Sequence, residues 1–247
     1  MPVPEKILNV GDIADYFWPR AMAGQDRADM AFHTVRWAYL LAQVDQLVNQ
    51  RSPDGKVRIL DIGVSLQTRL LRHNYPGCVD TLDIVDSDPN PGDGQESQIF
   101  DLNDLYYEER RPALGPFDVI VMCEVIEHLY TPSITVLGSI AQWLAPGGYL
   151  FIQTPNAVAL HKRVKALAGR HPYMDLSDGT RDAPPHFREY TMGELISAGR
   201  SAGLDVVHHE AHNYFTGRKT GTGVYNALCE RLPPSFRAGL SITYQRV

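Results

Sequence analysis

The stretch CEVIEHL holds the side chains best suited to chemistry in this chain. Glu124, Glu127 and His128 stand at i, i+3 and i+4, a spacing that puts them on one side of a helix if one begins here. His186, in PPHFREYT, comes from a later segment and completes the group. Two carboxylates and two imidazoles can hold a divalent ion and leave places for substrate oxygens or water. Oxygen ligands suit Mg2+, and the two histidines point toward Mn2+. Without a metal, Glu127, His128 and His186 are candidate general bases for a hydroxyl, which is a poor nucleophile at neutral pH. The plain alternative is that the glutamates cap a helix and His128 packs.

A second set of residues lies where short apolar runs stop. VRILDIG (57–63) ends on Asp61 and Gly63, and VDTLDIV (79–85) carries Asp83, with Asp86 just beyond. QIFDL (98–102) holds Asp101 and Leu102, and FDVIVMCEV (117–125) holds Cys123. Glycine lets backbone approach a ligand closely, and a carboxylate ending the second strand accepts hydrogen bonds from ribose hydroxyls. A pyrophosphate-binding loop would read GxGxxG. The loop here reads GVSLQT, which argues against a nicotinamide or flavin cofactor. Singly, Asp83 can cap a turn in DSDPNPGDG and Asp101 can cap the next helix.

These residues need elements to place them. The runs at 57–63, 79–85, 98–102, 117–125 and 147–156 read as strands. Helical spacing of Met30, Val35, Trp37, Leu40, Leu41, Val44 and Leu47 predicts a helix over 27–50, capped by Asp26 or Asp29 and broken at SPDG. QTRLLRHNY, the stretch from Ile126 to Pro146, and 191–203 read as further helices; 204–215 is extended, and LSITYQRV (240–247) is predicted to close the sheet at its edge. Strands alternating with helices imply crossover units and a mainly parallel sheet: an α/β, Rossmann-like, doubly wound fold whose ligands bind beyond the strands' C-terminal ends.

Bulk properties narrow the class. With 247 residues and 44% hydrophobic composition, one large domain is expected over two small ones. Its parts are an N-terminal helical extension (1–52), a core (57–156), a lid (157–190) and a C-terminal helix with strands (191–247). A formal charge of −6 offers no global field for a polyanion. The cysteines (Cys78, Cys123, Cys229) are odd in number and lack CxxC spacing, which fits reduced thiols in a cytoplasmic protein. No apolar run is long enough to span a bilayer.

Taken in order, ILDIG, VDTLDI, IFDLNDL, FDVIVMCEVIEHL and LAPGGYLFIQTPN resemble the class I S-adenosylmethionine-dependent methyltransferases over residues 57–156. HFREYTMGELISAGRSAGL resembles the family's later helix. The resemblance implies a seven-stranded fold and S-adenosyl-L-methionine as cofactor. Asp61, Gly63 and Ser65 would then lie at the methionine part, Asp83 (or Asp86) at the ribose diol, Asp101 and Leu102 at adenine, and Cys123 near the sulfonium. The family usually carries glycines two and four positions after Gly63, where this chain has Ser65 and Gln67. Glutamine there threatens to crowd the cofactor. The E-x-x-E-H spacing with a later histidine also resembles the metal site of small-RNA 3′-terminal 2′-O-methyltransferases and parts of the ubiquinone-pathway O-methyltransferases. E-V-x-E-H-L also occurs in members that need no metal.

The expected reaction is O-methylation of a small polar acceptor, a saccharide first, because the lid is rich in Asp175, Ser177, Asp178, Thr180, Arg181 and Asp182. A monomer or homodimer is expected, with no membrane and no nucleic acid. Rival readings are an RNA-terminal methyltransferase, resting on HKRVKALAGR (161–170) and GRK (217–219), and a non-catalytic binding module, motivated by Ser65 and Gln67. Tyr190, His161 and Arg188 are placed at the lid by position alone. His208, His209 and His212 are expected at a solvated edge. Trp18, Trp37 and Tyr39 are expected to pack helices.

Overall fold

The computed structural model describes residues 6–17, 24–52, 56–88, 92, 94–180, 184–214 and 222–247. The expectations for Trp18, Arg181, Asp182 and GRK (217–219), and for the side chains of Asp26, Asp29, Met30 and Asp178, fall outside the described residues.

Seven strands form one sheet: β1 (Ile59–Ile62), β2 (Val79–Asp83), β3 (Ser97–Ile99), β4 (Phe117–Cys123), β5 (Leu144–Pro155), β6 (Leu204–His212) and β7 (Gly239–Arg246). Their order is β3-β2-β1-β4-β5-β7-β6. Strands β1 to β5 pair in parallel, and β7 runs antiparallel to both β5 and β6. Strand order reverses between β1 and β4, and that switch point opens a crevice at the strands' C-terminal ends.

Alternation along the strands feeds two cores. Ile59, Val119, Val121 and Phe151 face helices α2 (Gly24–Arg51) and α3 (Leu66–Asn74), where Trp37, Leu40, Leu41, Val44, Leu70 and Leu71 are buried. Leu60, Ile120, Met122 and Ile152 face the other way, onto Val136, Leu137 and Ile140 of α4 (Ser133–Trp143) and Leu195 of α6 (Met192–Ser201). With both faces covered, the parallel strands read as continuous apolar runs. Among the described residues, no helix is long and apolar enough to cross a membrane.

Two expectations need correction. The last strand does not close an edge; β7 lies inside the sheet, and β6 is the edge. The polar β7 residues Ser241 and Thr243 are buried there. Gln153 Nε2 donates to Ser241 Oγ at 3.2 Å, and Ser241 also bonds the Tyr214 hydroxyl. Nor does one helix run from Ile126 to Pro146. A single 3-10 turn (Ile126–His128) is followed by extended chain, and α4 starts only at Ser133. Pro132 disfavours helix at the residue before it. Asn103 Oδ1 also accepts the backbone amides of Tyr130 (2.9 Å) and Thr131 (3.1 Å), which satisfies them outside a helix.

Candidate active site

The turn after β1 is built for close approach. Gly63 has φ +87°, and a Cβ there would lie 2.6 Å from Val125 Cγ2. Ser65 caps α3, and Thr68 Oγ1 accepts from the Ser65 amide in return, closing a capping box. Beyond this turn two adjoining clefts share Gly63, Asp83, Glu124 and Val125. The first, of about 620 Å³, also takes in Asp101, Leu102 and His128. The other takes in His33, Arg36, Ser65 and Cys123.

Asp83 stands at the junction. Its Oδ2 accepts from the Val64 amide (3.1 Å) and its Oδ1 from the Ile84 amide (2.7 Å), so the carboxylate is fixed while each oxygen keeps a free lone pair. Asp86 is exposed and lines neither cleft. Asp101 does what a cap does, accepting from the Asn103 amide at 2.8 Å, and it lines the first cleft as well. Burial pushes the Cys123 thiol well up, which leaves a neutral wall.

Asp61 lines neither cleft and lies fully buried beneath them. Thr68 Oγ1 donates to its Oδ2 at 2.7 Å and Gln67 Nε2 to its Oδ1 at 3.2 Å. Burial lifts its pKa to about 6 despite those donors. Gln67 therefore turns into the protein, and it lines neither cleft. The side chain that the sequence placed against the cofactor thus leaves both clefts clear.

The second chemical group gathers beside the first cleft. Chain direction changes at Glu124, the one non-glycine residue with positive φ (56°) among those described. This conformation costs about 1–2 kcal/mol for a residue with a Cβ, and such strain concentrates at functional sites. Glu127 is fully buried: its Oε2 accepts from Thr154 Oγ1 at 2.9 Å, and its Oε1 has no hydrogen-bond partner among the described residues. Burial, then the charge of Glu124, pushes the Glu127 carboxyl well above its usual range. His128 Nδ1 lies 3.2 Å from the Pro185 carbonyl, and His186 Nδ1 lies 3.2 Å from Glu189 Oε1. An acceptor at each Nδ1 favours a proton on that nitrogen whenever the ring is neutral, which would leave the Nε2 lone pair open. Burial lowers the His128 pKa and so favours the neutral ring.

Ligand atoms of Glu127, His128 and His186 lie within 4.8 Å of one another. Glu124 stands outside this trio, on the cleft side. The expected i, i+3, i+4 helical face does not form, because Glu124 precedes the 3-10 turn that carries the other two. An unpartnered buried carboxylate oxygen beside two imidazoles fits a divalent cation.

A further cleft opens on the other side of His186, lined by Tyr173, Met174, Leu176, Phe187 and Arg188. Residues 157–190 supply most of this lining and include helix α5 (Leu160–Leu167). The same cleft also takes in Asp175, Glu189 and Glu194; Asp175 Oδ1 accepts from the Ser177 amide and hydroxyl at 2.9 and 2.8 Å, and both Asp175 and Ser177 are exposed. Tyr190 is buried, while His161 is exposed beside the Tyr225 hydroxyl at 3.2 Å. The residues His208, His209 and His212 lie on edge strand β6, Trp37 packs in the core, and Tyr39 Oη donates to Glu210.

The model of a family described as a methyltransferase domain matches residues 33–209 of the chain. The chain belongs to the class I S-adenosylmethionine-dependent methyltransferases. A ubiquinone biosynthesis O-methyltransferase of Caulobacter sp. (strain K31) is 29% identical over 238 residues, covering 87% of each chain. The enzyme of that name from Caulobacter vibrioides is 30% identical over 109 residues, covering 42% of this chain and only 40% of its own length. Among solved structures, an S-adenosylmethionine-dependent methyltransferase from Archaeoglobus fulgidus superposes with a TM-score of 0.57 at 15% identity, over 91% of this chain and all of the other. One from Mesorhizobium loti gives 0.54 at 16% identity, over 82% and 96%.

Three residues at or behind these clefts escaped the sequence reading. Arg36, on α2, is 4% exposed, lines the same cleft as Ser65 and donates to Gln67 Oε1 at 3.4 Å. Its signal was a cation one turn before Leu40, on the apolar stripe of an amphipathic helix. Lys162 and Glu189 form a buried ion pair behind His186. They lie 27 positions apart and carry no local signature.

Proposed function

We propose that this methyltransferase transfers the methyl group of S-adenosylmethionine to a hydroxyl of a small acceptor that has an apolar ring face, with a divalent ion, Mg2+ or Mn2+, held by Glu127, His128 and His186. The observation that carries this reading is the convergence of those three ligand groups within 4.8 Å, with His128 lining the cofactor crevice and His186 the further cleft. Bound there, such an ion lowers the pKa of the acceptor hydroxyl. The cofactor brings a methyl group already activated on sulfur.

The chain's own task is positioning and proton removal. Asp83 is suited to the ribose diol, and Asp101 with Leu102 to the adenine edge and face. Gly63, Ser65, Cys123 and Arg36 are suited to the methionine end, with Asp61 bracing the turn from below. A second reading keeps His128 as a metal-free base, and it is favoured by the neutral ring anchored on the Pro185 carbonyl.

Tyr173, Met174, Leu176 and Phe187 in the acceptor cleft support a ring with an apolar face over the saccharide that the polar lid sequence suggested. The named activity of the Caulobacter relatives points the same way. An RNA terminus is disfavoured because Lys162, in the basic stretch that it would need, is buried and paired. Labelled methyl transfer should be screened against an alkyl-substituted catechol, a simple glycoside and an RNA 3′ end, with and without chelator. We expect the catechol to be preferred and the chelator to suppress transfer. Transfer to the glycoside alone would return the acceptor to a sugar, and full turnover under chelation would favour the His128 base.

A further inference from the structure

A chain of two buried groups and the half-buried His186 runs from helix α5 to the site. Lys162, on α5, donates from Nζ to the Asn156 carbonyl at 2.9 Å and forms an ion pair with Glu189 Oε2. The other oxygen, Glu189 Oε1, lies 3.2 Å from His186 Nδ1. The Lys162 and Glu189 side chains are only 8% and 3% exposed. Burying such a pair contributes little net stability, because desolvation offsets the attraction. Its geometry instead suits orientation: one carboxylate divides its two oxygens between a fixed cation and an imidazole.

We propose that Glu189 is a positioning residue for the methyl-transfer site. Held by Lys162, it fixes His186 as the Nδ1–H tautomer, so that Nε2 presents its lone pair toward Glu127 and His128. The inference rests on the reading that this trio does the chemistry. A carboxylate behind a ligating imidazole sets both the ring's orientation and its basicity. Lys162 also ties α5 to the end of β5 through Asn156, so the lid helix and His186 are held by one carboxylate.

The test reads the tautomer directly, with no metal, cofactor or acceptor present. The full chain is labelled with 15N-histidine, and long-range nitrogen–proton spectra are recorded at a pH where the rings are neutral, with His186→Gln assigning the signal. The wild type should show Nδ1–H at His186. In Glu189→Gln the amide has a single oxygen, and Lys162 claims it. The amide NH2 then faces Nδ1, and the ring should switch to Nε2–H. In Glu189→Gln/Lys162→Met that oxygen is released, and Nδ1–H should return.

In parallel, Mn2+ affinity should fall about 10- to 100-fold in Glu189→Gln and recover in the double variant. An Nε2–H ring in the wild type, or an unchanged tautomer in folded Glu189→Gln, overturns the proposal. Should the variants not fold, the wild-type spectrum alone decides. If the tautomers behave as expected but the wild type binds no Mn2+, the positioning role stands and the metal reading fails.

Discussion

Gln67 Nε2 donates to Asp61 Oδ1 over 3.2 Å, while its own oxygen accepts from Arg36 at 3.4 Å. The glutamine at a position where the family usually has glycine therefore braces the turn beneath the proposed cofactor crevice. It links the carboxylate under the turn to the guanidinium on its wall.

Replacing Gln67 with leucine keeps the volume but removes a donor from a buried carboxylate. We expect a loss of about 1–3 kcal/mol in urea denaturation, the cost of an unsatisfied buried group. The KM for S-adenosylmethionine should rise with kcat largely retained, because Arg36 loses its anchor. An unchanged KM would mean that Gln67 only fills space.

Asp61 makes stability depend on pH in a direction opposite to the usual carboxylate. Its native pKa is raised to about 6 from an ordinary 3.8. Between those values the native state holds a proton that the unfolded chain has lost, so stability falls as pH rises from about 4 to about 6. Above that window the deficit, about 3 kcal/mol, is fully present. Asp61→Asn should flatten this slope in denaturation midpoints measured across the window. A slope equal to wild type would contradict the assigned environment.

Glu127→Gln separates stability from function. The carboxyl is buried and repelled by Glu124, and one oxygen lacks a partner among the described residues. A neutral amide relieves that, and the melting temperature should rise by roughly 2–4 °C for each kcal/mol gained. Turnover should drop by about 100-fold or more. A variant that is both less stable and fully active would refute the placement of Glu127 in the chemistry.

Gly63→Ala introduces a Cβ at φ +87° and within 2.6 Å of Val125 Cγ2. The expected cost is about 1–3 kcal/mol, with cofactor affinity reduced at least about tenfold. Calorimetry with S-adenosylhomocysteine checks it, and wild-type affinity would show that the turn tolerates substitution.

Much of this arrangement was legible in the residues. Parallel strands buried on both faces, such as FDVIVMC, announce themselves as apolar runs, and the residues that end them (Asp83, Asp101, Cys123) fall at the crevice. What escaped depends on distant partners. β7 was expected at the edge, yet it pairs on both sides, and its Ser241 and Thr243 are buried inside the sheet. The turn at Glu124 imitates a helical spacing, but Glu124 has positive φ and precedes the 3-10 turn that carries Glu127 and His128. The pairing of Lys162 with Glu189 joins residues 27 positions apart and exists only in the folded chain.

The most direct test of the account is to follow methyl transfer to a catechol acceptor as Mn2+ is titrated into chelator-stripped protein, with occupancy read by electron paramagnetic resonance. Turnover should rise in proportion to one bound ion per chain, and His186→Gln should lose both the bound signal and the rate. Full turnover by the stripped protein, or binding that survives in His186→Gln with no loss of rate, would contradict it.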